Sequence, residues 1–133
     1  MMKTLFTLLM LSLVLTVHSQ TQTICPGQHI PHGWVIVDYN TCAGCCGQPG
    51  ELVKQPVIKN IRNAANGSTE VVCPDQDIPQ GWVIVENISC AGCCGQAGEL
   101  VQKYKIKKIA NAASGATESI CPDQDIPRGW VIT

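Results

Sequence analysis

Cys-Ala-Gly-Cys-Cys-Gly-Gln is written twice in this chain, at Cys42 to Gln48 and again at Cys90 to Gln96, and it holds six of the nine cysteines. The other three are Cys25, Cys73 and Cys121. Clustered sulfurs can be covalent staples, a metal cage or a redox pair, and the compartment decides which reading carries the most weight.

The first residues bear on the compartment. Lys3 precedes an apolar run from Leu5 to Val17, and the small residue Ser19 follows. That layout predicts a secretory signal peptide over residues 1–19, cleaved after Ser19 to leave Gln20 as the terminus. The run is short for a bilayer span, which needs about 20 apolar residues, so an uncleaved anchor is the weaker alternative. No later stretch is apolar enough to span. The expectation is a secreted, extracellular protein in an oxidising environment, where cysteine clusters pair as disulfides.

A 48-residue period runs through the rest. Cys25, Cys73 and Cys121 are 48 apart, as are Trp34, Trp82 and Trp130. Aligning residues 24–71 with 72–119 gives 30 identities in 48 positions, and 120–133 matches the opening of the second copy at 11 of 14. The domain reading is therefore a cysteine-rich repeat over 24–71, a second over 72–119, and a partial third over 120–133 that is either a terminal cap or a truncation. Retained positions include the Cys-Pro opening, Ile-Pro-x-Gly-Trp-Val-Ile, the cysteine cluster, and Gly-Glu-Leu-Val.

Within each copy, Gly33 to Val37 and Gly81 to Val85 are β-branched and aromatic and follow a Pro-x-Gly turn. This predicts a strand with Trp34 and Ile36 on one face and Val35 and Val37 on the other, covered on both sides. Tyr104 to Lys107 alternates as a strand does, and Pro56 opposes a helix at the matching place. The spacing Ile58, Ile61, Ala65 and its partner Ile106, Ile109, Ala113 keeps a short helix near the end of each unit as the alternative. The fold class expected is small, all-β and disulfide-stabilised, with small α+β as the alternative.

Four cysteines per unit allow three pairings. Joining the adjacent Cys45 and Cys46 would strain the peptide between them. Two pairings remain open: Cys25 to Cys45 with Cys42 to Cys46, or Cys25 to Cys46 with Cys42 to Cys45, and likewise for Cys73, Cys90, Cys93 and Cys94. Nine is odd. Pairing inside each unit leaves Cys121 spare, whereas joining each opening cysteine to the preceding unit uses Cys73 and Cys121 and leaves Cys25 spare. A spare exported thiol favours a covalent dimer.

The rival chemistries are thinner. Cys-x-x-Cys-Cys could gather thiolates around a soft ion, with His29 and His32 added in the first copy, but the second copy has Asp77 and Gln80 there. The Cys42-Ala-Gly-Cys45 spacing of a dithiol oxidoreductase lacks a helix start to lower a thiolate pKa. No nucleophile elbow, phosphate loop or His-Glu-x-x-His occurs, so no enzyme and no cofactor is expected. Glu51 and Glu99 read as turn residues, and Asp75, Asp77, Asp123 and Asp125 as incomplete calcium ligands. Lys103, Lys105, Lys107 and Lys108 read as a solvated face or edge-strand protection. Removing Lys3 leaves eight basic against ten acidic residues, which is no footprint for nucleic acid. Asn66-Gly67-Ser68 and Asn87-Ile88-Ser89 are glycosylation acceptors at Asn66 and Asn87. The functional expectation is a secreted structural or binding module meeting an extracellular protein, a carbohydrate or a microbial surface; an inhibitor-like, toxin-like or host-defence protein and a metal-binding protein are the alternatives.

Overall fold

A computed structural model describes residues 20–133; residues 1–19, where the signal peptide is expected, lie outside the described residues. Six strands form two three-stranded antiparallel sheets. In the first, β1 (Thr21–Thr23), β2 (Trp34–Ala43) and β3 (Leu52–Asn60) lie in the order β1-β3-β2. In the second, β4 (Thr69–Val72), β5 (Trp82–Ala91) and β6 (Leu100–Lys108) repeat that order as β4-β6-β5. The all-β expectation holds. The α+β alternative does not, because no helix occurs among the described residues. Ile58 belongs to β3, paired on both sides, and Ile61 begins the turn after it, so their three-residue spacing comes from a strand running into a turn.

A proline in the central strand β3 looks anomalous, since it cannot donate to the ladder. In an antiparallel strand the N–H and C=O of one residue point the same way. The Pro56 carbonyl accepts from Ile24 N at 3.0 Å, just beyond the last β1 pair, Thr23 with Val57. The missing donor therefore faces a place where β1 has already ended. In the second sheet Tyr104 occupies this position and pairs with Val72, and β4 runs one residue further than β1.

The Trp strands behave as their pattern predicts. Both faces are covered: Ile36 and Trp34 pack with Ile24, Ile58, Cys73, Cys94 and Val101, while Val35 and Val37 pack with Ile61, Val72, Trp82 and Ile106. Each cluster draws residues from both sheets, so the core lies between the two units. A bulge between Ile36 and Asp38, repeated between Ile84 and Glu86, inserts one residue and ends the stretch that is apolar on both faces. After the bulge the strand turns polar, with exposed Asp38 and Asn40 or Glu86 and Asn87.

The turn into each Trp strand closes against the end of the central strand: Ile61 N donates to Gly33 O at 2.9 Å, and Ile109 N to Gly81 O at 2.8 Å. Gly81 has φ +87°, and a Cβ there would lie 2.8 Å from Ala110 Cβ. Gly81→Ala is expected to cost about 1–3 kcal/mol in denaturant unfolding, from backbone strain plus the overlap. Gly115→Ala, at φ +82° in open space, should cost about 1 kcal/mol, from the backbone alone. Equal losses would mean that the close approach contributes nothing.

Candidate functional site

The sulfurs fix the frame. Cys25 pairs with Cys46 and Cys42 with Cys45; Cys73 pairs with Cys94 and Cys90 with Cys93, with Cα–Cα distances of 5.7–5.8 Å. Of the two open pairings this is the one that joins the first two cysteines of each cluster to each other and the third to the opening cysteine. The scheme that linked opening cysteines to the preceding unit is not the one formed, and Cys121 is the unpaired, half-buried cysteine among the described residues. Hairpin geometry explains the choice. Cys42 lies near the end of β2 and Cys45 just inside the loop between β2 and β3, which is closed by Gly44 N donating to Glu51 O at 2.9 Å. Cys46 takes a left-handed φ of +56° and points across to Cys25. Cys73 and Cys94 are buried against the first unit, at 0% and 5% exposure, whereas Cys25 and Cys46 are half-buried. All the sulfurs of the two Cys-x-x-Cys-Cys clusters lie in disulfides.

The joint between the units is made by a side chain that the sequence reading passed over. β2 is an edge strand, and Ile36 N and O are bonded on the side away from β3. Ile36 N donates to Gln76 Oε1 at 2.7 Å, and Gln76 Nε2 donates to Ile36 O and Cys73 O, both at 2.8 Å. Cys73 N also donates to Ile36 O, at 2.9 Å. A primary amide supplies both an acceptor and two donors, and here all are used. The same clamp recurs 48 residues on: Ile84 N donates to Gln124 Oε1 at 2.8 Å, Gln124 Nε2 donates to Ile84 O and Cys121 O, and Cys121 N donates to Ile84 O. Residues 121–124 thus cover the β5 edge as 73–76 cover that of β2. Trp130 forms no strand; its Nε1 donates to Ile109 O at 3.2 Å. The signal for the clamp was present, since glutamine stands three residues after the opening cysteine in all three copies, at Gln28, Gln76 and Gln124. Gln28 has only Cys25 N as its donor, at 2.8 Å.

The lysines also serve the joint. Lys59 pairs with Glu70 and Lys107 with Glu118, each linking a central strand to the segment that leads into the next copy. Lys103 Nζ donates to Val37 O at 3.1 Å, and Lys108 Nζ to Ala64 O at 2.7 Å. Lys105 pairs with Glu86. The edge-protection reading is therefore corrected: β6 is the central strand of its sheet, and three of its lysines reach across to the unit before or the segment after. Both partners of Lys107–Glu118 keep part of their surface in water. Lys107→Met should therefore cost less than about 1 kcal/mol, a loss that shrinks in high salt and is read from urea unfolding at two ionic strengths.

Each joint opens on one side as a groove. The first, of about 960 Å³, runs between Ile30-Pro31-His32 and the turn Asp75 to Gln80, with Trp34 on its wall. The second, of about 760 Å³, repeats it between Ile78-Pro79-Gln80 and the turn Asp123 to Arg128, with Trp82 on its wall. Gln80 borders both. Asp75 and Asp123 hold left-handed φ values of +62° and +59°, where the first copy has Gly27 at +79°. The aspartates at 75, 77, 123 and 125 are all exposed, as are His29 and His32. Among the described residues no three His, Cys, Asp or Glu side chains come together as a metal site. Asn66 and Asn87 are both exposed, and Glu51 and Glu99 lie exposed in the hairpin loops. No helix among the described residues is long and apolar enough to cross a membrane. Comparison with known proteins returns no matching family model, no matching curated protein and no matching solved structure.

Proposed function

We propose that the protein is a secreted, non-enzymatic binding module, a tandem repeat whose joints present two equivalent grooves to an extracellular partner. The disulfides support an oxidising, extracellular setting. The observation that carries the binding role is the repetition of the groove itself: the retained Ile-Pro-x-Gly turns of successive copies form its walls both times, and segment 120–133 completes the second one. In this reading that segment is a cap, Asn66 and Asn87 carry glycans, and Cys121 is either a free thiol or the link of a covalent dimer.

Two measurements test it. Intact mass of protein exported by a eukaryotic host, with and without reductant and glycosidase, should give a chain beginning at Gln20 with eight oxidised cysteines, glycan on the two asparagines, and one alkylatable or dimer-linked thiol. Labelled protein should then be retained by at least one surface in a panel of matrix proteins, glycans and microbial cells, and Gln80→Trp, which obstructs both grooves at an exposed position, should abolish retention. No retention anywhere, or full retention by Gln80→Trp, would overturn the reading.

A further inference from the structure

The charges of this protein are sorted, and the sorting points to the kind of partner the grooves accept. Among the described residues there are eight cationic side chains, and seven are engaged internally. Lys59, Lys105 and Lys107 hold carboxylates. Lys103 and Lys108 donate to backbone carbonyls, Arg62 donates to His32 O at 2.6 Å, and Lys54 lies 5.6 Å from the centre of the Tyr39 ring. Only Arg128 is left without such a contact, and it lies in the lining of the second groove. The carboxylates divide the other way. Glu70, Glu86 and Glu118 are taken by lysines, while Asp75, Asp77, Asp123 and Asp125 have no cationic partner and all border the grooves.

Asp38, Glu51 and Glu99 are likewise unpaired but lie elsewhere, and the aspartates of the two clefts outnumber the one cationic side chain in their lining, Arg128, so each cleft is left with an excess of carboxylate beside its apolar wall residues. Low-dielectric walls on either side of like charges focus their field, which attracts opposite charge and steers its approach. The walls supply apolar contact from Ile30, Pro31, Trp34, Ile78 and Pro79, which suits the aliphatic stems of long cationic side chains whose heads reach the carboxylates.

We propose that the grooves bind an extended, lysine- and arginine-bearing peptide segment of a partner protein. This rests on the grooves being binding sites, as proposed above. The test uses the full secreted chain and a fluorescent Lys/Arg-rich dodecapeptide, with a glutamate-rich dodecapeptide, a neutral oligosaccharide and a sulfated oligosaccharide as comparison probes, followed by anisotropy at low and physiological salt. The basic peptide should bind best, and its affinity should fall steeply as salt rises. Asn tolerates left-handed φ nearly as Asp does, so the variant Asp75→Asn, Asp77→Asn, Asp123→Asn, Asp125→Asn keeps the turns and should weaken binding by at least tenfold. Asp38→Asn with Glu51→Gln and Glu99→Gln, acids outside the grooves, should leave it unchanged. Equal binding by the four-asparagine variant, a loss with the control variant, or preference for either oligosaccharide overturns the proposal. Gln80→Trp separates the two claims: if it abolishes capture of a surface that the four-asparagine variant still binds, the grooves bind but their partner is not cationic.

Discussion

Removing the buried long disulfide by Cys73→Ala with Cys94→Ala is expected to cost more stability than removing either Cys25–Cys46 or Cys42–Cys45. The bond closes a separation of 21 residues, for which the chain-entropy model gives about 3 kcal/mol. To this is added a packing term, because the two sulfurs sit in the cluster with Ile24, Ile36, Ile58 and Val101 and their removal leaves space there. A total of about 4–5 kcal/mol is most of the stability of a marginal small domain and should lower the melting temperature by roughly 15–30 °C. Cys42→Ala with Cys45→Ala removes a bond across a separation of 3 at the tip of a hairpin, worth about 1.5 kcal/mol by the same model. Cys25→Ala with Cys46→Ala should fall between, since its loop is as long as the first but its sulfurs are half in water. Thermal unfolding of the three pairs, followed by circular dichroism, checks the order. If the hairpin-tip pair costs as much as the buried one, covalent closure of the long loop is not what holds the units shut.

How far the sequence reveals this architecture depends on whether each feature is written locally. The Trp strands are legible because β-branched and aromatic residues follow a Pro-x-Gly turn, and Trp34 with Ile36 and Val35 with Val37 do occupy opposite clusters. The strand at Leu100 to Lys108 is legible from alternation, against a competing helical spacing that came from a strand end joined to a turn. Disulfide pairing was narrowed to two choices by bond geometry, but deciding between them needed the hairpin, which brings Cys46 rather than Cys45 to Cys25. The lysines misled because a sequence does not say that β6 lies at the centre of its sheet. Between-unit contacts were the least legible of all. Gln76 reads as one polar residue in a turn until β2 is known to expose its edge 40 residues earlier in the chain, and the grooves exist only where two such turns meet.

Gln76→Ala should therefore be the most destabilising single polar substitution in the chain. Its amide makes three hydrogen bonds, two of them to Ile36, in a region that is part-buried and closed over by Cys73. Truncation leaves Ile36 N without an acceptor, and unsatisfied groups of this kind cost about 1–3 kcal/mol each. Ile36 O keeps Cys73 N as a donor, so the expected loss is about 2–4 kcal/mol rather than the sum of three full bonds. Gln76→Glu tests the donor side separately. Its carboxylate can still accept from Ile36 N but meets two carbonyl oxygens where the amide donated, so it should be at least as damaging as alanine and should recover as the pH falls and the carboxyl gains a proton to donate. The three copies of the same residue supply the scale. Gln124→Ala loses an equivalent set of bonds to Ile84 and should loosen segment 120–133 over β5, seen as faster amide exchange at Ile84 and Cys121. Gln28→Ala loses one exposed bond to Cys25 N and should cost under about 1 kcal/mol. If alanine at 28 and at 76 prove equally harmful in urea unfolding, the glutamine matters to its own turn and not to the joint. A large gap between them locates the energy in the clamp across the strand edge, where the two units are held in register and the grooves take their shape.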